Sequence, residues 1–196
     1  MRNIVLSIIF LFIISSCSFS KYYFENSEMK TGLDFTNGKW ILNTIEAPYK
    51  VKNKLSELAF KDFSAKLNHR ISHSRNVKEF MITPKINLKE NKSELEKVYK
   101  TTGYNFFIDI KAQIVDEKLG LIDFSPSKFK KDEQNRVKVV FNIYNLKSQT
   151  VIYSKTAIGL VGTNKTNNVN FSASADMLII GAYKKIMKDI NNKSIK

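Results

Sequence analysis

The sequence predicts an α/β (α+β) domain, a mixed sheet of about five strands with helices packed on it in the order βαβαβββα. Three observations carry this. Residues 104–116 alternate, with Tyr104, Phe106, Ile108, Ile110, Ala112 and Ile114 on one face and Asn105, Phe107, Asp109, Lys111, Gln113 and Val115 on the other. Such alternation suits a strand with one well-buried face. Two other stretches repeat their apolar residues every three or four positions instead: Leu55, Leu58, Ala59, Phe63 and Leu67, then Ile179, Ala182, Tyr183, Ile186 and Ile190. Each lays one apolar stripe along a helix. Finally, the strand-like runs 136–145 and 150–161 are joined by Leu146-Lys147-Ser148-Gln149, a connection of hairpin length.

Taken in order, the domain opens near Gly38. Trp40 to Ile45 is a β-rich run that Pro48 ends, because proline cannot donate to a ladder. The first helix follows over 51–67, with Lys54, Lys61 and Lys66 largely off its apolar stripe. After a polar turn, Val77 to Ile82 reads as the second strand, stopped at Thr83-Pro84. Ser93-Glu94-Leu95-Glu96 offers a capping box for the second helix, in which Ser93 and Glu96 each satisfy an amide at the helix start. Leu95, Val98 and Tyr99 form its apolar side, and Gly103 suits a left-handed end. Residues 117–135 break the pattern with Pro126 and the charged run 128–133, yet keep Leu119, Leu121, Ile122, Phe124 and Phe129. A long excursion is expected there. Beyond the hairpin, 162–170 is a Thr/Asn-rich loop, and Ser172 or Ser174 caps the last helix, from Ala175 to about Ile190. Two βα crossovers followed by a meander give the mixed sheet.

The first residues are of another kind. Met1-Arg2-Asn3 is a short positive start, 4–14 is an almost unbroken apolar run, and Ser15-Ser16 precede Cys17, the single cysteine. This is the three-part pattern of a secretory signal, and it is shorter than the ~17–25 residues of a membrane span. Ile14-Ser15-Ser16-Cys17 also resembles the lipobox of bacterial lipoproteins. The resemblance implies diacylation of Cys17 (palmitate among the chains) and cleavage before it, so that 1–16 is a signal peptide and Cys17 the first mature residue. A lone thiol in an exported chain has no internal disulfide partner. Residues 17–37 show neither periodicity and are expected to be a lipidated tether, leaving 38–196 as a single domain. Ser18 after the cysteine resembles the outer-membrane-destined kind, which implies an outer-membrane anchor facing the periplasm.

The formal net charge is +14. Nearly all of it is lysine, with arginine only at Arg2, Arg70, Arg75 and Arg136. Nucleic-acid readers lean on the planar, bidentate guanidinium, so no nucleic-acid partner is expected. Abundant Asn, Ile, Phe and Tyr accompany the lysines, as AT-rich codons would give. A cationic face is nonetheless drawn to anionic head groups.

Val139-Val140-Phe141-Asn142-Ile143-Tyr144-Asn145 followed by Val151-Ile152-Tyr153-Ser154 looks like the paired strands of a group of envelope domains. That group comprises the TolB amino-terminal domain, the lipoprotein activators of penicillin-binding proteins and the periplasmic domain of the curli secretion lipoprotein. The element order over 38–191 is similar to theirs. Neither a pore-type β-hairpin pair nor a proline-rich stretch between Cys17 and Gly38 is present. The resemblance therefore implies only a TolB-like, non-enzymatic adaptor in the cell envelope.

No catalytic constellation can be named. His69 and His73 would share a face only if the first helix ran through them, and Arg70 stands where a zinc protease has its glutamate, so neither metal nor cofactor is expected. Asp109 beside Lys111, and Asp116-Glu117, read as solvated charge. The stretch 159–165 lacks the Gly-Lys-Ser/Thr of a phosphate loop. Cys17, once acylated, is no nucleophile.

The function expected is that of an outer-membrane lipoprotein acting as a non-enzymatic accessory or scaffold in envelope assembly or transport, held to the membrane by Cys17 and bound to an envelope protein. Leu119, Leu121, Ile122, Phe124 and Phe129, rimmed by lysines, are the candidate partner contacts. The alternative is a periplasmic lipid- or small-ligand-binding lipoprotein; a hydrolase is third. Oligomeric state is not legible in the sequence.

Overall fold

A long antiparallel meander forms the middle of the sheet. The computed structural model describes residues 20–28, 33–78, 92–117, 134–162 and 173–195. The meander's strands are β5 (Phe106–Glu117), β6 (Gln134–Asn145) and β7 (Thr150–Gly162), where β1 is Lys21–Glu28, β2 Leu33–Asp34, β3 Trp40–Leu42, β4 Ile71–His73 and β8 Ser194–Ile195. The helices are α1 (Tyr49–Lys66), α2 (Lys92–Thr102) and α3 (Ala175–Lys193). The six-stranded sheet has the order β1-β7-β6-β5-β3-β4, with β3 parallel to both β4 and β5 and the other pairs antiparallel. β2 and β8 form a separate parallel pair. The mixed sheet, its helices and the expected alternation of elements are all present.

The two halves of the sequence pattern bury on the same side. Ile108, Ile110 and Ala112 of β5 and Val137, Val139, Phe141 and Ile143 of β6 meet Leu55, Ala59 and Phe63 of α1 and Ile179, Ala182, Tyr183 and Ile186 of α3. Burying such a side chain fully is worth about 1.5–3 kcal/mol, so this layer dominates the stability. A smaller cluster, Ile41, Leu95, Val98, Phe107, Tyr144 and Leu146, lies under α2 on the opposite face. β3 is therefore covered on both sides, and Trp40, Ile41 and Leu42 are all fully buried.

Several sequence expectations need correcting. The stretch read as part of a tether contains β1, which pairs with β7 from Lys21↔Leu160 to Glu28↔Ser154 with a bulge between Phe24 and Asn26. Leu33 and Phe35 are also in the main core, so folded structure begins well before Gly38. An edge strand needs only one good face and one neighbour, and Lys21-Tyr22-Tyr23-Phe24 is too mixed to announce that. The second strand is Ile71–His73, pairing with β3, where a polar turn was expected. Most of 77–82 lies outside the described residues. A three-residue strand with one buried residue carries no readable alternation. Ser93 lies inside α2 rather than capping it, and Glu96 turns to Lys100 at 2.6 Å instead of reaching back. Ser174, one of the two serines considered, does cap α3, its Oγ accepting from Met177 N at 3.3 Å. Gly103 adopts φ +68° after α2, as its position implied.

Candidate functional site

β1 fixes where the chain arriving from Cys17 meets the domain. Tyr22 points to the α3 side, and its ring and hydroxyl fill a notch left by two glycines. A Cβ on Gly181 would run into the Tyr22 hydroxyl, and one on Gly159 would lie 3.0 Å from the ring. Phe24, two residues on, is covered by two ammonium groups, Lys155 Nζ at 4.2 Å and Lys185 Nζ at 5.1 Å from the ring centroid. These cation–π contacts and the notch hold β1 against α3 as well as against β7. Lys21 is four residues from Cys17, and an extended chain covers at most ~3.6 Å per residue, so Cys17 lies within about 14 Å of the start of β1.

The strand registers define which end of the sheet this is. Lys21 is opposite Leu160, Leu160 opposite Arg136, and Arg136 opposite Asp116. The start of β1, the end of β7, the start of β6 and the end of β5 thus share one end. α3 begins there, since Asn135 Nδ2 donates to Ala173 O at 3.2 Å. Glu46, three residues before α1, bridges to Lys111, the sixth of the twelve residues of β5. α1 then returns to the far end, where Ile71, Trp40 and Phe106 are level.

Charge is buried in two places. On the main face, Lys155 is almost wholly enclosed and its Nζ lies 2.7 Å from Asp189 Oδ2; Lys193 reaches Oδ1 at 3.0 Å. Tyr153 donates to the same carboxylate at 3.2 Å. Desolvation opposes the Asp189 charge, but the hydrogen bonds from Lys155 and Lys193 outweigh it and hold the carboxyl below the usual range. Burial and the adjacent Asp189 charge push the Tyr153 hydroxyl upward. Tyr183, donating to Asp62 at 2.9 Å, is raised by burial and by Asp62 in the same way.

On the opposite face, a polar row crosses the strands. Asn43 Nδ2 donates to Asp109 Oδ1 at 2.8 Å. Asp109 stands opposite Asn142, and Asn142 opposite Ser154, whose Oγ donates to Asn142 Oδ1 at 2.7 Å. Asp109 is only 6% exposed, so it is not the solvated charge that its neighbour Lys111 suggested. Lys111 turns instead to Glu46 at 3.5 Å. Burial, with the Asp109 charge, pushes the Tyr144 hydroxyl upward. Sequence alternation put Asp109 on the mixed face correctly; nothing local reveals that this part of the face is covered.

The remaining candidates are scattered. α1 stops at Lys66, and Asn68 and His69 take φ of 45° and 62°, so His69 and His73 do not share a helical face. His69 Nδ1 is 3.0 Å from Ser64 Oγ. His73, on β4, stacks on Phe60 at 4.2 Å, and burial, with the Arg75 charge, lowers its pKa. Arg70 donates to Phe35 O at 2.6 Å and Gly38 O at 2.7 Å, clamping the approach to β3. Gly159 lies within β7, in the strand expected over 150–161. Among the described residues no three His, Cys, Asp or Glu side chains converge as metal ligands. Among the same residues no helix is long and apolar enough to cross a membrane. Cys17 and the proposed contacts Leu119, Leu121, Ile122, Phe124 and Phe129 lie outside the described residues.

No family model matches the chain, and no curated protein does. Solved structures do. It is similar to the PelC dodecamer subunit of Paraburkholderia phytofirmans, at 9% identity over 91% of this chain and 100% of that one, with a TM-score of 0.48. It is also similar to the lipoprotein GNA1162 of Neisseria meningitidis, at 15% identity over 79% of this chain and 99% of that one, TM-score 0.42. For the LpoB C-terminal domain of Salmonella enterica the values are 13%, 62%, 83% and 0.35. Bacterial lipoproteins are thus among the chains it resembles.

Proposed function

We propose that the protein is an outer-membrane lipoprotein, anchored through Cys17, whose domain serves as a non-enzymatic accessory or scaffold in envelope assembly or transport. One observation carries the reading. The lipobox-like Ile14-Ser15-Ser16-Cys17 is followed within four residues by a strand that is built into the sheet. An acyl chain on Cys17 would hold the whole domain at the membrane surface instead of on a stalk. The buried charges support binding rather than chemistry, since each is neutralised by a neighbour or hydrogen-bonded.

The partner contacts in this proposal are Leu119, Leu121, Ile122, Phe124 and Phe129. The residues that flank them, Glu117 and Gln134, are at the same end of the sheet as Lys21. The partner is therefore another component close to the anchoring membrane. The ligand-binding alternative has less support, because Phe63, Phe141, Tyr153 and Tyr183 occupy the layer between the sheet and α1 and α3.

The test has two arms. Labelled palmitate should be incorporated into the wild type and not into Cys17→Ala; incorporation into neither overturns the anchor. Crosslinking in native membranes should then recover an envelope protein with the wild type, and lose it with the double variant Phe124→Ser and Phe129→Ser while circular dichroism stays unchanged. Equal recovery with that variant would remove the excursion as the contact.

A further inference from the structure

Large apolar side chains left exposed among the described residues are Tyr23, Tyr49, Val115, Val151 and Met177. Three of these five, Tyr23, Val115 and Met177, lie at the end of the sheet where the chain arrives from Cys17. Tyr49, 92% exposed, opens α1; Met177, 59% exposed, is in the first turn of α3; Val115 is at the end of β5 and Tyr23 at the start of β1. They come from both layers of the domain and from strands and helices alike. Only Val151, opposite Tyr144 near the hairpin turn, is at the far end.

A second feature, at the start of α1, points the same way. α1 begins Tyr49-Lys50-Val51-Lys52-Asn53-Lys54, with no acidic residue in its first turn. Lys50 and Lys54 are exposed. Cations at a helix N-terminus oppose the macrodipole and weaken the helix. Folding therefore gains nothing from this placement. An anionic surface would meet these ammonium groups at a helix start whose N-cap, Pro48, makes no side-chain capping hydrogen bond.

We infer that this end of the domain is a membrane-contact face. Tyr49, Met177, Val115 and Tyr23 enter the head-group region of the leaflet that receives the Cys17 lipid, with Lys21, Lys50 and Lys54 against anionic head groups. The inference rests on the lipoprotein reading, through the reach of about 14 Å from Cys17 to β1, too short for the domain to stand off or invert freely. Aromatic side chains beside lysines are the residue types that settle at a bilayer interface.

The experiment uses the lipidated full-length mature protein in phosphatidylglycerol-containing vesicles. Single variants Tyr49→Cys, Met177→Cys and Val115→Cys, with Val151→Cys as control, are labelled with an environment-sensitive fluorophore; acylated Cys17 does not react. Head-group nitroxide lipids should quench the first three several-fold more than the label at 151, with blue-shifted emission. Vesicles of phosphatidylcholine alone should weaken the effect. Equal quenching at all four positions in protein shown by mass to carry the Cys17 lipid overturns the membrane face and leaves the anchor standing. Absence of that lipid mass overturns the anchor reading itself.

Discussion

Under α1 and α3 the sheet buries Phe63, Phe141, Tyr153 and Tyr183 completely, whereas the six-residue cluster under α2 gives way across the strands to Asp109, Asn142 and Ser154. Each face also encloses one carboxylate. Asp189, on the first, is neutralised by Lys155 and Lys193. Asp109, on the second, accepts from the Asn43 amide. The first face is an apolar layer closed at its rim by an ion pair, and the second is a small apolar patch continued by hydrogen-bonded polar groups. The difference teaches that a sheet in this domain gains its stability on one side and its polar character on the other.

The largest expected effect sharpens this directly. Phe63→Ala should cost about 3–5 kcal/mol in urea denaturation, because it opens a cavity where the helix, β6 and Phe35 all meet. Leu95→Ala, in the smaller cluster, should cost about 2 kcal/mol, at the low end for such truncations. Its hydrogen exchange should rise locally in α2 and not across the meander. Equal losses for the two variants would erase the distinction between the faces.

The carboxylates come next. Asp189→Ala strands the enclosed Lys155 and should destabilise by about 3 kcal/mol, while Lys155→Met, which removes the buried charge and leaves Asp189 with exposed Lys193, should stay within about 1 kcal/mol of wild type. If Lys155→Met is the more damaging, the ion pair is the source of rim stability rather than a neutralised cost. A melting series of both variants decides it.

The smallest effect belongs to the edge of the sheet at β4. Burial beside Phe60 lowers the His73 pKa, so the unfolded chain takes up a proton before the folded one does. The stability from neutral His73 is then present above the ordinary imidazole pKa of ~6.5 and lost as pH falls below it toward the folded value. Stability should drop by less than about 1 kcal/mol between roughly pH 7.5 and 5.5, and His73→Phe should flatten that slope. An unchanged slope in the variant would assign the pH dependence elsewhere.

The sequence by itself determined the elements whose pattern is local and repeated. β5, the hairpin of β6 and β7, and the apolar stripes of α1 and α3 are legible because one buried face imposes a period of 2 or about 3.6 on many residues. Tertiary structure alone decided the rest. β1 exists because β7 offers an edge and Gly159 and Gly181 leave space for Tyr22. β4 exists because β3 is there to pair with it. Asp109 is enclosed because of what surrounds its face, not because of its neighbours in sequence. In each case the stabilising contact joins residues far apart along the chain, and no local pattern of residue types records a partner that folding has yet to supply.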